Sequence, residues 1–178
     1  MSRKASKRRR RQKKSAFKSF FRWLVALCVI VIVGFVVREF VAVPVSIAGD
    51  SMMDTYQDGD IVLATRFDYI LTGPDRGDVV LCTVDGRDGM YVKRVVALPG
   101  DYVELTNGML TINGTAVHET YVTYPSSETM SMQLGEDQYM VLGDNRANSY
   151  DSRETDIGML SRDNFEGKVR CGIWPLGK

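Results

Sequence analysis

The sequence predicts a mostly-β domain carried behind a single amino-terminal transmembrane helix. Three observations lead there: a basic tail with no acid, an apolar run directly after it, and a series of short β-branched runs parted by turn residues.

Residues 1–22 hold eleven of the 23 Lys and Arg residues and no Asp or Glu. That leaves 12 basic against 22 acidic residues, about −10, which argues against nucleic acid as a partner of the remainder. From Trp23 to Val37, fifteen consecutive residues carry no charge. A spanning helix needs about 20 apolar residues. Phe17, Phe20 and Phe21 extend the run on one side and residues 40–45 on the other, while Arg22 and Arg38 can snorkel to the headgroups. A buried core helix would leave the basic run unexplained. A cleaved export signal calls for a small-residue site, and Arg38-Glu39 stands there instead. The expectation is a cytoplasmic tail over 1–22, an uncleaved anchor over 23–43 and an exported domain over 44–178. The bias of basic residues sets that orientation across the plasma membrane.

Beyond Pro44 the pattern is that of strands: Ile61–Ala64, Asp78–Val84, Tyr91–Leu98, Tyr102–Thr106, Met109–Ile112, Tyr139–Leu142 and Lys168–Trp174. Asn107-Gly108 and Asn113-Gly114 bracket a four-residue run, as in a tight meander, because type I′ turns need positive φ at both central residues. Gly86–Gly89 and Pro125–Gln133 read as breaks, and 101–138 as a small β excursion from the main sheets. Cys28 lies in the span. Cys82 and Cys171 are expected to be buried free thiols, although export permits a disulfide between them.

The chemistry is approached by elimination. The single histidine, His118, is expected on a surface strand, remote in sequence from any serine in a special context, so a Ser/His/Asp site is disfavoured. No His/Cys spacing suits a metal, and neither metal nor cofactor is expected. A hydrolase built from these residues would need another base. Lysine serves if burial lowers its pKa from about 10.4. Lys93, in Tyr-Val-Lys-Arg-Val-Val-Ala-Leu, is the only lysine within a strongly apolar strand, although a lysine on a solvated strand face reads equally well there. Ser51 follows Gly49-Asp50, where glycine permits a tight turn and nearby amides can face an oxyanion.

Together, five blocks resemble the type I signal peptidases, in the right order. They are Gly49-Asp50-Ser51-Met52-Met53, Gly59-Asp60-Ile61-Val62-Leu63, Arg76-Gly77-Asp78-Val79-Val80, the run from Tyr91 to Asp101, and the run from Gly143 to Arg153. The likeness extends from the basic tail to Ile173-Trp174-Pro175, with glycine at position 49 as in the Gram-positive branch. Arg76-Gly77-Asp78 is otherwise read as a turn opening a strand. The resemblance implies a signal-peptidase-like catalytic domain with Ser51 as nucleophile and Lys93 as general base. It implies that Ser149 orients the lysine, that Asp144 pairs with Arg94 and Asp151 with Arg153, and that the Ser51 amide with Gly49 forms the oxyanion hole. Ile47, Ala48, Met52, Tyr91 and Val92 would line pockets for small side chains, giving Ala-X-Ala specificity. One position departs: the family usually has proline three residues after the nucleophile, where Asp54 stands. Asp54 is expected to point away from the lysine and to accept backbone N–H bonds in its own turn.

The implied partners are the signal peptides of secreted preproteins, the lipid bilayer and the translocation machinery. Two other readings compete. An inactive relative assisting surface-polymer or pilus assembly should lack the serine or the lysine, and this chain keeps both. A self-cleaving Ser/Lys repressor should have a DNA-binding helical domain where this chain has its apolar run.

Overall fold

A computed structural model describes residues 2–36, 43–69 and 72–175. The chain falls into two compact units, the amino-terminal helix and the β domain.

Helix α1 runs from Ser2 to Val36 and carries both the basic tail and the apolar run. Its Lys18–Phe35 stretch has a mean hydropathy of 2.0, and none of its residues is buried within the protein. Among the described residues it is the one helix long and apolar enough to cross a membrane. Of the expected 23–43 anchor, 37–42 lie outside the described residues, and Val43 belongs to a strand instead. Pro44 accounts for that difference: it has no N–H to donate and cannot continue a helix. It is accommodated in β1 (Val43–Ser46), the edge strand of the large sheet, the position in a sheet where proline is tolerated.

The β domain has two antiparallel sheets. The larger is built from β1, β2 (Ile61–Thr65), β3 (Val79–Cys82), β4 (Tyr91–Ala97), β9 (Met140–Leu142) and β10 (Phe165–Trp174), in the order β1-β2-β10-β3-β4-β9. The smaller, in the order β7-β6-β5-β8, consists of β5 (Tyr102–Thr106), β6 (Met109–Ile112), β7 (Thr115–Ala116) and β8 (Thr129–Gln133). Asn107 and Gly108 have φ of 49° and 81°, and Asn113 and Gly114 of 51° and 77°, the left-handed pairs that the meander requires. One core joins the sheets: Val96, Ala97, Met140 and Leu142 pack with Val103, Leu105, Leu110 and Ile112.

Three strand expectations need correction. Pro125–Gln133 is not wholly a break, because its second half is β8, which pairs with β5. Only Met130 and Met132 turn inward there, and Thr, Ser and Gln alternate with them, so the apolar signal is weak. The strand expected over 78–84 is shorter, Val79–Cys82, and the last strand begins earlier, at Phe165. Gly167 hid that start. It is not a breaker but a close approach, since a Cβ on it would lie 2.8 Å from the Thr65 carbonyl oxygen. Both β-domain cysteines are free, but Cys171 is exposed rather than buried. His118 is exposed too, in the connection after β7 rather than on a strand. Arg76-Gly77-Asp78 is a turn, with Gly77 at φ 91° and Asp78 salt-bridged to Lys168 at 2.5 Å.

Candidate active site

Alternation on β4 sends its side chains to different surroundings. Tyr91 and Val95 face the core containing Val80 and Cys82, whereas Val92 packs on Ile47, Met52 and Leu81. Lys93 stands opposite Val80 and is 5 % exposed. Among the described residues its amine makes one hydrogen bond, donating to Ser149 Oγ at 3.2 Å. Burial pushes the lysine below its ordinary pKa, against the pull of Asp151, because a desolvated ammonium costs more than a desolvated amine. The solvated-face reading of Lys93 is thereby excluded.

Gly143, just beyond β9, is where the pieces meet. A Cβ there would lie 2.6 Å from Ser149 Cβ, and would clash with Ser149 Oγ and the Ser51 carbonyl oxygen. Ser51 and Ser149 therefore press on Gly143 from two sides, and Lys93 reaches the same point through Ser149. The half-buried Ser51 leads the turn that follows β1, and its amide has no hydrogen-bond partner among the described residues.

Two ion pairs brace this junction. Asp144, fully buried, accepts from Arg94 Nε at 2.8 Å, from Arg94 Nη2 at 2.7 Å and from Thr55 Oγ1 at 2.5 Å. Asp151 accepts from Arg153 Nε at 2.8 Å and from the Gly143 amide at 2.9 Å. Burial alone would raise the Asp151 pKa, but Arg153, the Ser149 hydroxyl and the Gly143 N–H outweigh it and hold the carboxyl below its ordinary range. Arg153 also binds the carbonyls of Arg146 and Ser149, at 2.9 and 3.2 Å, and so fixes the loop that carries Ser149.

Two site expectations change. The Gly49 amide, expected beside the oxyanion, donates to Asp58 Oδ1 at 2.8 Å, whereas the Ser51 amide has no partner among the described residues. Asp54 is exposed, and among the described residues nothing donates to its carboxylate. Its turn is closed instead by Tyr56 N–H on the Met52 carbonyl and by Gln57 N–H on Asp60 Oδ2, each at 2.8 Å. Asp60, buried, is the turn-maker. Asp54→Asn is expected to leave the acidic limb of the pH–rate profile within about half a unit, since a carboxylate in direct contact would shift it by a unit or more.

The expected pocket residues divide. Ile47 and Met52 are buried in one cluster with Val92 against it, Ala48 is exposed, and Tyr91 belongs to the other face of β4. Met52, 1 % exposed, can only back a pocket. Other supporting residues carried no assigned role in the sequence. Arg146 and Glu119 form a buried pair at 2.6 Å, Arg146 Nε donates to the Gly143 carbonyl at 2.9 Å, and Tyr121 lies under Arg94 at 3.9 Å. Arg146 stands within the Gly143–Arg153 run, whereas Glu119 and Tyr121 stand in a stretch with no periodic signal. Among the described residues, no group of three His, Cys, Asp or Glu side chains is disposed to hold a metal.

The family described as signal peptidase, peptidase S26, matches residues 20–174. Signal peptidase IB of Staphylococcus aureus is 32 % identical over 180 residues, covering 90 % of this chain and 93 % of its own. Signal peptidase I S of Bacillus subtilis is 31 % identical over 173 residues, covering 90 % and 92 %. A crystal structure of a signal peptidase I from Enterococcus faecalis V583 superposes with a TM-score of 0.50 at 27 % identity, over 55 % of this chain and 97 % of that one.

Proposed function

This chain belongs to the signal peptidase family, peptidase S26, and from that premise we propose a Ser/Lys acyl-enzyme mechanism with Ser51 as nucleophile and Lys93 as general base. The observation that carries it is the buried Lys93 amine, disfavoured as a cation and held on Ser149 beside the Gly143 junction. Neutral Lys93 takes the Ser51 hydroxyl proton as Oγ bonds to the scissile carbonyl carbon. The Ser51 amide faces the developing oxyanion. The C–N bond then breaks, and the leaving amine takes the proton from Lys93. The lysine, neutral again, deprotonates a water that attacks the ester, and returns that proton to Ser51 Oγ as the acyl group leaves.

The substrate would lie extended along β4. Among the described residues β9 pairs with β4 only from Arg94 onward, which leaves Tyr91–Lys93 an open edge for an added strand. Buried Ile47 and Met52 leave a shallow floor beside Val92, suited to the small side chains of an Ala-X-Ala site.

The detergent-solubilised protein should cleave a model preprotein at its signal-peptide junction, and Ser51→Ala should not. A wild-type protein that leaves the preprotein intact would favour the accessory-protein reading. Sharing a membrane with its substrate raises effective concentration, so the single anchor serves encounter as well as location. With the basic tail cytoplasmic, protease added to protoplasts should digest the β domain and spare the tail. A protected β domain would overturn the orientation, and with it the preproteins and translocation machinery as partners.

A further inference from the structure

We infer that Asn145 is a positioning residue that clamps the Ser51 turn onto the loop carrying Ser149. This rests on Ser51 being the nucleophile.

Two consecutive carbonyls of the nucleophile turn point at one residue. The Asn145 amide donates to the Ser51 carbonyl at 3.0 Å, and its Nδ2 donates to the Asp50 carbonyl at 3.1 Å. These bonds join segments about 95 residues apart in sequence, across the gap that Gly143 keeps narrow. Asn145 is 7 % exposed, so water competes poorly for its bonds. Its other side-chain atom works locally: Oδ1 accepts from the Asn148 amide at 3.2 Å and caps the turn at Arg146–Asn148. Asparagine is suited to both tasks, because it alone among short side chains presents a donor and an acceptor from one planar group. Ser51 has no side-chain bond among the described residues to hold it on the Lys93 side. Its placement relative to Lys93 therefore depends on its backbone; Thr55 ties the far end of the turn to Asp144, and Asn145 holds the carbonyls of Asp50 and Ser51 themselves.

Two substitutions separate the clamp from the cap. Asn145→Ser keeps an oxygen for the Asn148 amide but has no donor able to reach Asp50. Asn145→Ala loses both, and each retains the backbone bond to Ser51. Misplacing a reacting group by about 1 Å costs around 100-fold. Both variants should therefore lose about 100-fold in kcat on a signal-peptide substrate, with KM within about twofold. The acidic limb should stay where it is, because no charge is introduced near Lys93. If Asn145→Ser recovers the activity that Asn145→Ala loses, the cap matters and the clamp does not. Wild-type kcat in Asn145→Ser, or a loss confined to KM, would also overturn the proposal. Ser51→Ala, run alongside, separates the outcomes: residual cleavage there would remove the premise rather than the clamp.

Discussion

Replacing Lys93 with methionine is expected to abolish cleavage and, at the same time, to raise the melting temperature. The loss should be on the order of 10⁴-fold or more, the scale seen when one member of a catalytic unit is removed. Adding Ser51→Ala should cost nothing further, because the two act as one unit. The gain in stability follows from the lowered pKa of the buried amine. In the unfolded chain the lysine titrates near 10.4. Between the folded pKa and that value the unfolded state binds more protons, so stability rises with pH across the window. The destabilisation is fully present below the folded pKa and gone above about 10.4. Methionine fills similar space with no charge to desolvate, and each kcal/mol recovered should raise Tm by about 2–8 °C. A Lys93→Met protein that melts lower than the wild type at neutral pH would show that the amine stabilises the fold. Base catalysis by Lys93 would then need another explanation.

Gly143→Ala is expected to be nearly as damaging, for a steric reason. The new methyl would meet Ser149 on one side and the Ser51 carbonyl on the other, and neither can retreat easily. Arg153 holds the Ser149 carbonyl, and Asn145 holds that of Ser51. Overpacking of this kind costs about 1–3 kcal/mol in stability. Prying the two serines apart by even 1 Å should lower kcat by about 100-fold or more. Kinetics and a thermal melt on the purified variant check both figures, and a Gly143→Ala enzyme with normal kcat would mean that the junction is not where catalysis is set.

The sequence carried those parts of this site that depend on local order. The block around Lys93 is an apolar strand with two adjacent basic residues, Lys93 and Arg94, and alternation alone puts Lys93 on the face away from Val92. The Gly143–Arg153 block brought Asp144, Ser149, Asp151 and Arg153 together because it is one short loop. Parts resting on long-range approach were invisible. Glu119 finds Arg146 27 residues away, and Tyr121 finds Arg94 likewise, from a stretch without periodicity. The bond from the Gly49 amide to Asp58, at a glycine with φ of 85°, is likewise something no spacing rule reveals. The sequence points to Asp54 for the turn-forming role that Asp60 fills, since both are short acids in one turn and only burial tells them apart. The small sheet was half legible, as its Asn-Gly turns declare β5 and β6 while polar β8 declares nothing.

The most direct test is the titration of Lys93 itself. With lysines labelled at ¹³Cε, and the Lys93 signal assigned by its absence from Lys93→Met, NMR reads the amine's protonation while peptide cleavage is followed over the same pH range. An amine acting as base on Ser51 should titrate below the ordinary lysine value of about 10.4. Its midpoint should coincide with the acidic limb of kcat/KM, which reports the free enzyme. A Lys93 signal that titrates at or above 10.4, with cleavage already at its plateau near neutrality, would contradict the mechanism outright.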